Sequence, residues 1–328
     1  MKKQLKLDLD ENIEEREKSR LKRPLKDYEI DLGERGIYTK KNKLNDLTGT
    51  EWIYFLNSVW ETALQKDIDL VALLEYLRYS VIDTRYATSG KDSYGHELRK
   101  QHPSPKPPQL MKDIIRFFTK ENGYILDPFM GVGGTLIGAS LLENRNAVGI
   151  ELEEKYIDIY KKVCLKNNIK EQETLSGDSA SILESKKLEG ETFDLILTDP
   201  PYANMLSRKR TGGDRKDKGS FTDKDNDLGN MEFNKFLIKL RGIIASASKL
   251  LKNKGYIVIF CKDLQPTPEY NGFLHNDIVN TITKIPNIYF KGYKIWYDKT
   301  LNLYPYGYPF SYVSNQLHQF ILIFRKEL

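Results

Sequence analysis

The chain has 328 residues, of which 40% are hydrophobic and 30% charged, and its 51 Lys and Arg against 46 Asp and Glu leave a net charge of +5. That length fits one large α/β domain with a smaller appended part, and the 20 Tyr and 14 Phe provide for a packed core and exclude global disorder. The two cysteines, Cys164 and Cys261, exclude a disulfide framework, the scattered histidines argue against any metal centre, and the mild positive balance permits a nucleic-acid partner without requiring one.

In chain order, Met1 to Lys26 mixes cations and anions with no apolar segment of a secretory signal, and no later apolar run exceeds strand length. A cytoplasmic protein with no membrane partner is expected. Residues 1–45 read as a charged, solvated arm. Thr48 or Thr50 is placed to cap a helix carrying Trp52, Phe55, Val59 and Trp60, and Leu70, Val71, Leu73, Leu74 and Leu77 recur at helical spacing. The expectation is therefore a small helical region up to residue 100, followed by a second unit over 101–328.

From residue 101 short apolar runs alternate with amphipathic helices. A helix over Gln109–Thr119 precedes the strand Tyr124–Asp127, and a second helix follows the glycines at 131–134. Then come a strand at 147–151, a helix at 153–166, and strands at 174–178 and 193–199. The clearest helix, Glu232–Lys252, carries a continuous stripe from Phe233 to Leu251, with Gly255 as its stop. Strand Tyr256–Phe260, a helix near 274–284 and two closing strands, Tyr293–Tyr297 and Gln319–Phe324, complete the chain. This alternation predicts a Rossmann-like, doubly wound, mostly parallel sheet, with the closing pair as an antiparallel edge. The segment 203–231 breaks the rhythm and is expected as one mobile loop of functional character.

In such a sheet ligands bind beyond the carboxyl ends of the strands. Asp127-Pro128-Phe129-Met130-Gly131-Val132-Gly133-Gly134-Thr135 stands at one such end, and its glycines let a ligand approach the backbone. Glu151 ends the next strand, where an acid accepts from ribose hydroxyls, and Asp178, followed by Ser179, is placed to accept from an adenine amino group. Three polar groups at successive strand ends describe a nucleoside pocket. The chain has no Gly-x-x-x-x-Gly-Lys-Ser/Thr sequence, which disfavours a P-loop NTPase.

The fourth strand ends in Asp199-Pro200-Pro201-Tyr202. Consecutive prolines fix φ and remove two backbone donors, leaving a rigid turn rich in acceptors. An amine conjugated to a base is a poor nucleophile. The Asp199 carboxylate and Pro200 carbonyl can each accept one of its N–H bonds, while Tyr202 stacks on a base flipped from the duplex.

These motifs resemble the DNA amino-methyltransferases, the N6-adenine and N4-cytosine family. Asp127-Pro128-Phe129-x-Gly131-x-Gly133 is similar to the family's cofactor loop, although Gly134-Thr135 stands where the family usually has two threonines. His102-Pro103-Ser104-Pro105-Lys106-Pro107 is similar to a segment that closes over the cofactor, and Asp199-Pro200-Pro201-Tyr202 to the catalytic tetrapeptide. The resemblance implies S-adenosyl-L-methionine as cofactor, held by His102, Lys106, Pro107, Asp127, Pro128, Phe129, Gly131, Gly133, Thr135, Glu151, Asp178 and Ser179. It implies double-stranded DNA as partner, with a homodimer or a restriction–modification partner as further associations. Asp at the head of the tetrapeptide favours adenine N6 over cytosine N4, and RNA guanine N2 is a further alternative. The cations Arg208, Lys209, Arg210, Arg215 and Lys216 beside Tyr202 are expected to contact phosphates, and Tyr304 to Phe310 to stack on bases or pack in the core. A non-catalytic DNA-binding subunit would leave the tetrapeptide unexplained, and a nicotinamide oxidoreductase would too.

Overall fold

A computed structural model describes residues 24–49, 51–52, 59–62, 86, 93–202, 222, 224–266, 268, 270–298 and 316–328. Its strands are β1 (Glu29–Asp31), β2 (Ile37–Thr39), β3 (Val59–Thr62), β4 (Tyr124–Asp127), β5 (Asn146–Glu151), β6 (Glu173–Ser176), β7 (Phe193–Thr198), β8 (Leu251–Cys261), β9 (Ile288–Asp298) and β10 (His318–Lys326). Its helices are α1 (His96–Arg99), α2 (Pro108–Phe118), α3 (Gly134–Ser140), α4 (Glu154–Asn167), α5 (Ser179–Glu184), α6 (Phe233–Lys249) and α7 (Leu274–Ile282).

Eight strands form one sheet in the order β3-β9-β10-β8-β7-β4-β5-β6. The expected doubly wound, mostly parallel sheet is present. β10 alone runs antiparallel, between β8 and β9, and β3 lies outside them, parallel to β9. Chain order reverses beside β4, with β5 and β6 on one side and β7 and β8 on the other. This switch point opens the crevice in which such sheets bind ligands.

The core forms on both faces because the strand residues alternate. Ile125, Leu195, Leu197, Val258 and Phe260 face buried residues of α2, α3 and α4. Leu126, Ile196, Ile257 and Ile259 face the stripe Phe236, Leu240, Ile243, Ile244 and Ala247 of α6, together with α7. α6 stops at Lys249, well before Gly255, because Leu251 already pairs with Phe193 in the sheet and Leu250 O accepts from Phe193 N at 2.8 Å. Among the described residues no helix is long and apolar enough to cross a membrane.

Before residue 100 the described residues include elements that were not expected. Residues 29–39 form the hairpin β1–β2. Val59 and Trp60, expected on a helix, belong to β3, where pairing with Ile295 and Trp296 on the open flank of the sheet overrides the local helical spacing. Thr48 does cap a helical turn: Glu51 N donates to Thr48 Oγ1 at 3.2 Å and Thr48 N to Glu51 Oε2 at 2.9 Å. The apolar stretch 70–77 lies outside the described residues.

Residues 42–49, 51 and 52 dock on the sheet domain, so that 42–45 do not extend as the expected solvated arm. The buried Asn45 amide donates to Phe117 O at 2.5 Å, Trp52 packs edge-on against Phe117 with centroids 5.3 Å apart, and Arg116 donates to Glu51 at 2.6 Å. Asn45→Ala would remove the bond to the Phe117 carbonyl and take from the Leu47 N–H its acceptor, Asn45 Oδ1. It is expected to cost about 1–3 kcal/mol in urea unfolding with an unchanged m-value.

Candidate active site

One cavity of about 540 Å³ opens at the carboxyl ends of the sheet, lined by Asp127, Glu151, Asp178 and Asp199 from four successive strand ends. The expected cofactor residues His102, Lys106, Pro107, Pro128, Phe129, Gly131, Thr135 and Ser179 line it too, as do Pro200, Pro201 and Tyr202. Gly133 is absent from the lining and acts behind it, as described below.

β4 and β7 are joined at their tips. Thr198 Oγ1 donates to Asp127 Oδ1 at 2.7 Å, and the same oxygen accepts from Phe129 N at 3.0 Å. Burial pushes the Asp127 carboxyl up to about 6, opposed by the neighbouring Thr135 hydroxyl and by these two bonds, and reinforced by the negative charge of Asp199. Glu151 accepts from Gly131 N and Glu153 N, both at 2.9 Å, which locks its carboxylate at the tip of β5. Burial raises its pKa to about 7, against the pull of those two N–H groups. Asp178 caps α5 by accepting from Ser181 N at 3.1 Å, and pairs with Lys239 at 2.9 Å. Burial opposes its ionisation, but the Lys239 and Ser181 bonds win and hold its pKa below the usual carboxylate value. Ser179 is spent on structure: its hydroxyl donates to Pro128 O at 2.5 Å, fastening the glycine loop to the end of β6.

The glycines have separate duties. Gly133 lies at φ +74°, and a Cβ there would stand 2.2 Å from Tyr160 Cδ2. Gly131 lies at φ +52° beneath the His102 ring, with an added Cβ 3.1 Å from its Nε2. Gly134, in place of the family's usual threonine, also has a structural reason. A Cβ there would meet Lys106 O at 3.1 Å and the Arg99 guanidinium at 3.3 Å. The second glycine lets the His102–Pro107 segment press onto the loop.

Sequence reasoning missed Arg99. It is 1% exposed and donates to Lys106 O and to Val132 O, so it rivets that segment to the glycine loop. Burial lowers its pKa to about 10. Three lining residues from the far side of the sheet were missed as well: Lys262 after β8, Trp296 on β9 and Gln319 on β10. Trp296 and Gln319 face each other across the β9–β10 ladder. Distant strands contribute them, so no local spacing signals them.

The segment expected as one mobile loop, 203–231, has an ordered end. Asp227 caps the turn Leu228–Asn230 and accepts from Thr222 Oγ1 at 3.0 Å, while Lys224 pairs with Glu153 at 2.9 Å. Thr222, Asn226, Asp227 and Leu228 thereby form one wall of the cavity. The cations Arg208, Lys209, Arg210, Arg215 and Lys216 and the aromatic stretch 304–310 lie outside the described residues.

The cavity fits a cationic nucleoside. Four carboxylates converge on it, and Glu151 is held with its remaining lone pairs available to hydroxyl donors. Thr135 Oγ1 is buried beside Asp127, whose negative charge its hydroxyl helps to stabilise, and its oxygen keeps acceptor capacity toward the cavity.

Residues 7–162 and 193–327 match the model of a family described as DNA methylase, and the chain belongs to that family. Its cofactor is S-adenosylmethionine. A tRNA (guanine(10)-N2)-dimethyltransferase of Pyrococcus abyssi (strain GE5 / Orsay) is 35% identical over 105 residues, covering 32% of this chain and 31% of that protein. Type II methyltransferase M2.LlaDCHI of Lactococcus lactis subsp. cremoris is 47% identical over 62 residues, covering 19% of this chain and 23% of the relative. Type II methyltransferase M.HinfI of Haemophilus influenzae is 44% identical over 66 residues, covering 20% and 18%. The chain thus spans about a third or less of the length of these curated relatives. Among solved structures, TrmN from Thermus thermophilus superposes with a TM-score of 0.47 at 12% identity, covering 82% of this chain and 71% of that one.

Gly133→Ala combines a left-handed backbone with a clash against the buried Tyr160 ring. It is expected to cost about 2–4 kcal/mol in chemical unfolding, and Gly190→Ala, at φ +85° with open space around it, less than half as much.

Proposed function

We propose that this protein methylates N6 of adenine in double-stranded DNA after flipping the base out of the helix. The observation that carries this reading is the Asp199-Pro200-Pro201-Tyr202 turn at the tip of β7, in the same cavity as the glycine loop and Glu151. Bound S-adenosylmethionine supplies an electrophilic methyl group on a sulfonium. Asp199 and the Pro200 carbonyl accept the two N–H bonds of the target amine and draw its lone pair out of conjugation, toward that methyl. The N–C bond would form as the S–C bond breaks, its electron pair staying on sulfur to leave S-adenosylhomocysteine, and the proton lost from the amine would pass by way of the Asp199 carboxylate to solvent. Tyr202 O–H donates to Asp199 Oδ1 at 2.7 Å, which turns its ring beside the carboxylate and into stacking reach of a base.

The wall formed by Lys262, Trp296 and Gln319 supports a planar base as occupant. The indole gives it a surface, and the Gln319 amide has a donor for the ring nitrogen beside the amine. Asp at the head of the turn favours adenine, and the type II relatives support DNA and a restriction–modification setting. We assign phosphate contacts to Arg208, Lys209, Arg210, Arg215 and Lys216, which follow Tyr202 closely in the chain. A second reading, guanine N2 in tRNA, draws support from the 35% identical archaeal relative.

Tritiated S-adenosylmethionine offered with unmethylated duplex DNA of mixed sequence, or with tRNA, distinguishes these readings. Labelled N6-methyladenine from DNA is expected. Label only in N4-methylcytosine, or only in tRNA as a methylated guanine, would replace the adenine assignment. Asp199→Ala is expected to abolish labelling while leaving cofactor affinity within about threefold, because only the transition state uses its acceptor.

Glu151 makes the free cavity pH-dependent. Its carboxyl ionises near 7 in the free protein, and ribose hydroxyls donate to the ionised form. Cofactor affinity should therefore tighten about tenfold between pH 6 and pH 8 and then level off. Calorimetry across that range checks the slope, and Glu151→Gln should remove most of it.

A further inference from the structure

Lys106 sits in the segment that the family resemblance assigns to the cofactor, yet its ammonium is bonded elsewhere. The side chain, 5% exposed, forms an ion pair with Asp199 Oδ2 across 93 residues of sequence. Its Nζ also lies 3.3 Å from Ser104 Oγ and 5.6 Å from the centre of the Phe260 ring. Tyr202 O–H holds the other oxygen of the same carboxylate. Each Asp199 oxygen therefore carries one fixed donor and keeps one lone pair free.

We infer that Lys106 is a positioning residue for the catalytic turn: it clamps Asp199 together with Tyr202, so that the remaining lone pairs point to where the target amine must sit. This inference rests on the methyltransferase reading and extends it. Asp199 shares its cavity with the carboxyls of Asp127, Glu151 and Asp178, and a cation placed beside it balances that gathering of like charge. Lys106 is that cation. Its backbone explains how it is held there. Arg99 grips the Lys106 carbonyl, Gly134 makes room for it, and Pro107 then leads into the first turn of α2, so the stem enters the cavity from a rigid support. The segment thus couples the two halves of the site. It covers the glycine loop with its backbone and steadies the catalytic carboxylate with its side chain.

Lys106→Met keeps the apolar stem and removes the charge, and Lys106→Gln keeps a shortened polar group as a second variant. Both are compared with the wild type for S-adenosylmethionine binding by calorimetry, which also certifies the fold, and for turnover into duplex DNA at saturating cofactor. The expected result is a loss of kcat on the order of 10- to 100-fold with cofactor Kd changed by less than about threefold. In an Asp199→Asn background, where there is no carboxylate to clamp, Lys106→Met should cost far less of the remaining turnover. Wild-type kcat in a folded variant would overturn the inference, as would a cofactor Kd weakened more than about tenfold at intact kcat, the mark of a residue that holds the cofactor instead. A wild-type protein that binds cofactor but labels neither DNA nor tRNA would refute the functional reading itself, a separate outcome.

Discussion

Where chain order reverses in the sheet, β4 and β7 lie side by side, and at their tips Thr198 donates to Asp127 at 2.7 Å. One of these strands launches the glycine loop and the other ends in the Asp-Pro-Pro-Tyr turn. In the reaction proposed above, a methyl donor and a target nitrogen have to meet within about 3–3.5 Å for in-line transfer. Their supports are therefore held to the same tolerance. A single buried hydroxyl–carboxylate bond does this, and the rest of the cavity is arranged around the pair of strands it joins. The Pro-Pro turn adds rigidity on one side. Gly131 and Gly133, both at positive φ, bend the chain tightly on the other.

Charge is the second constraint. Asp127, Glu151, Asp178 and Asp199 approach one cavity, and burial resists ionising the first two. The protein answers each carboxylate differently: backbone N–H groups for Glu151, a hydroxyl and an N–H for Asp127, a helix cap and Lys239 for Asp178, Lys106 and a phenol for Asp199. A cationic ligand completes this arrangement, since its positive charge relieves the remaining repulsion. That is the electrostatic logic of a sulfonium nucleoside in this fold.

The segments flanking the sheet do more than decorate it. Arg99, buried with carbonyls as its partners, ties the residues before α2 to the glycine loop. Lys224 and Asn226 tie the end of the 203–231 segment to the tips of β5 and β6. The cavity walls are thus built from pieces far apart in sequence, and each is fixed by a bond to a strand end.

Much was legible locally. Apolar runs located the centre of each strand from β4 onward, most plainly in β4, β5 and β7, which are buried on both faces, whereas β8 and β9 begin five residues earlier than read, at Leu251 and Ile288. The stripe on α6 was equally plain, and Thr48 was one of the two caps offered, its partner Glu51 emerging only in the structure. The acids at the strand ends and the proline turn were plain too, because their roles depend on residues adjacent in the chain. What only the tertiary structure decided depends on contacts between separate elements of the chain. Val59–Thr62 became a strand because β9 offered it an unpaired edge, against its own spacing. Lys106 turned to Asp199, and Arg99 disappeared under a glycine loop, through contacts that no local period encodes. Trp296 and Gln319 reached the cavity because β10 runs antiparallel between β8 and β9. Sequence by itself determined the elements and their chemistry, since those follow from short-range patterns of burial and backbone freedom. The pairing of charges and the shape of the wall formed by Lys262, Trp296 and Gln319 followed from the packing of those elements in space.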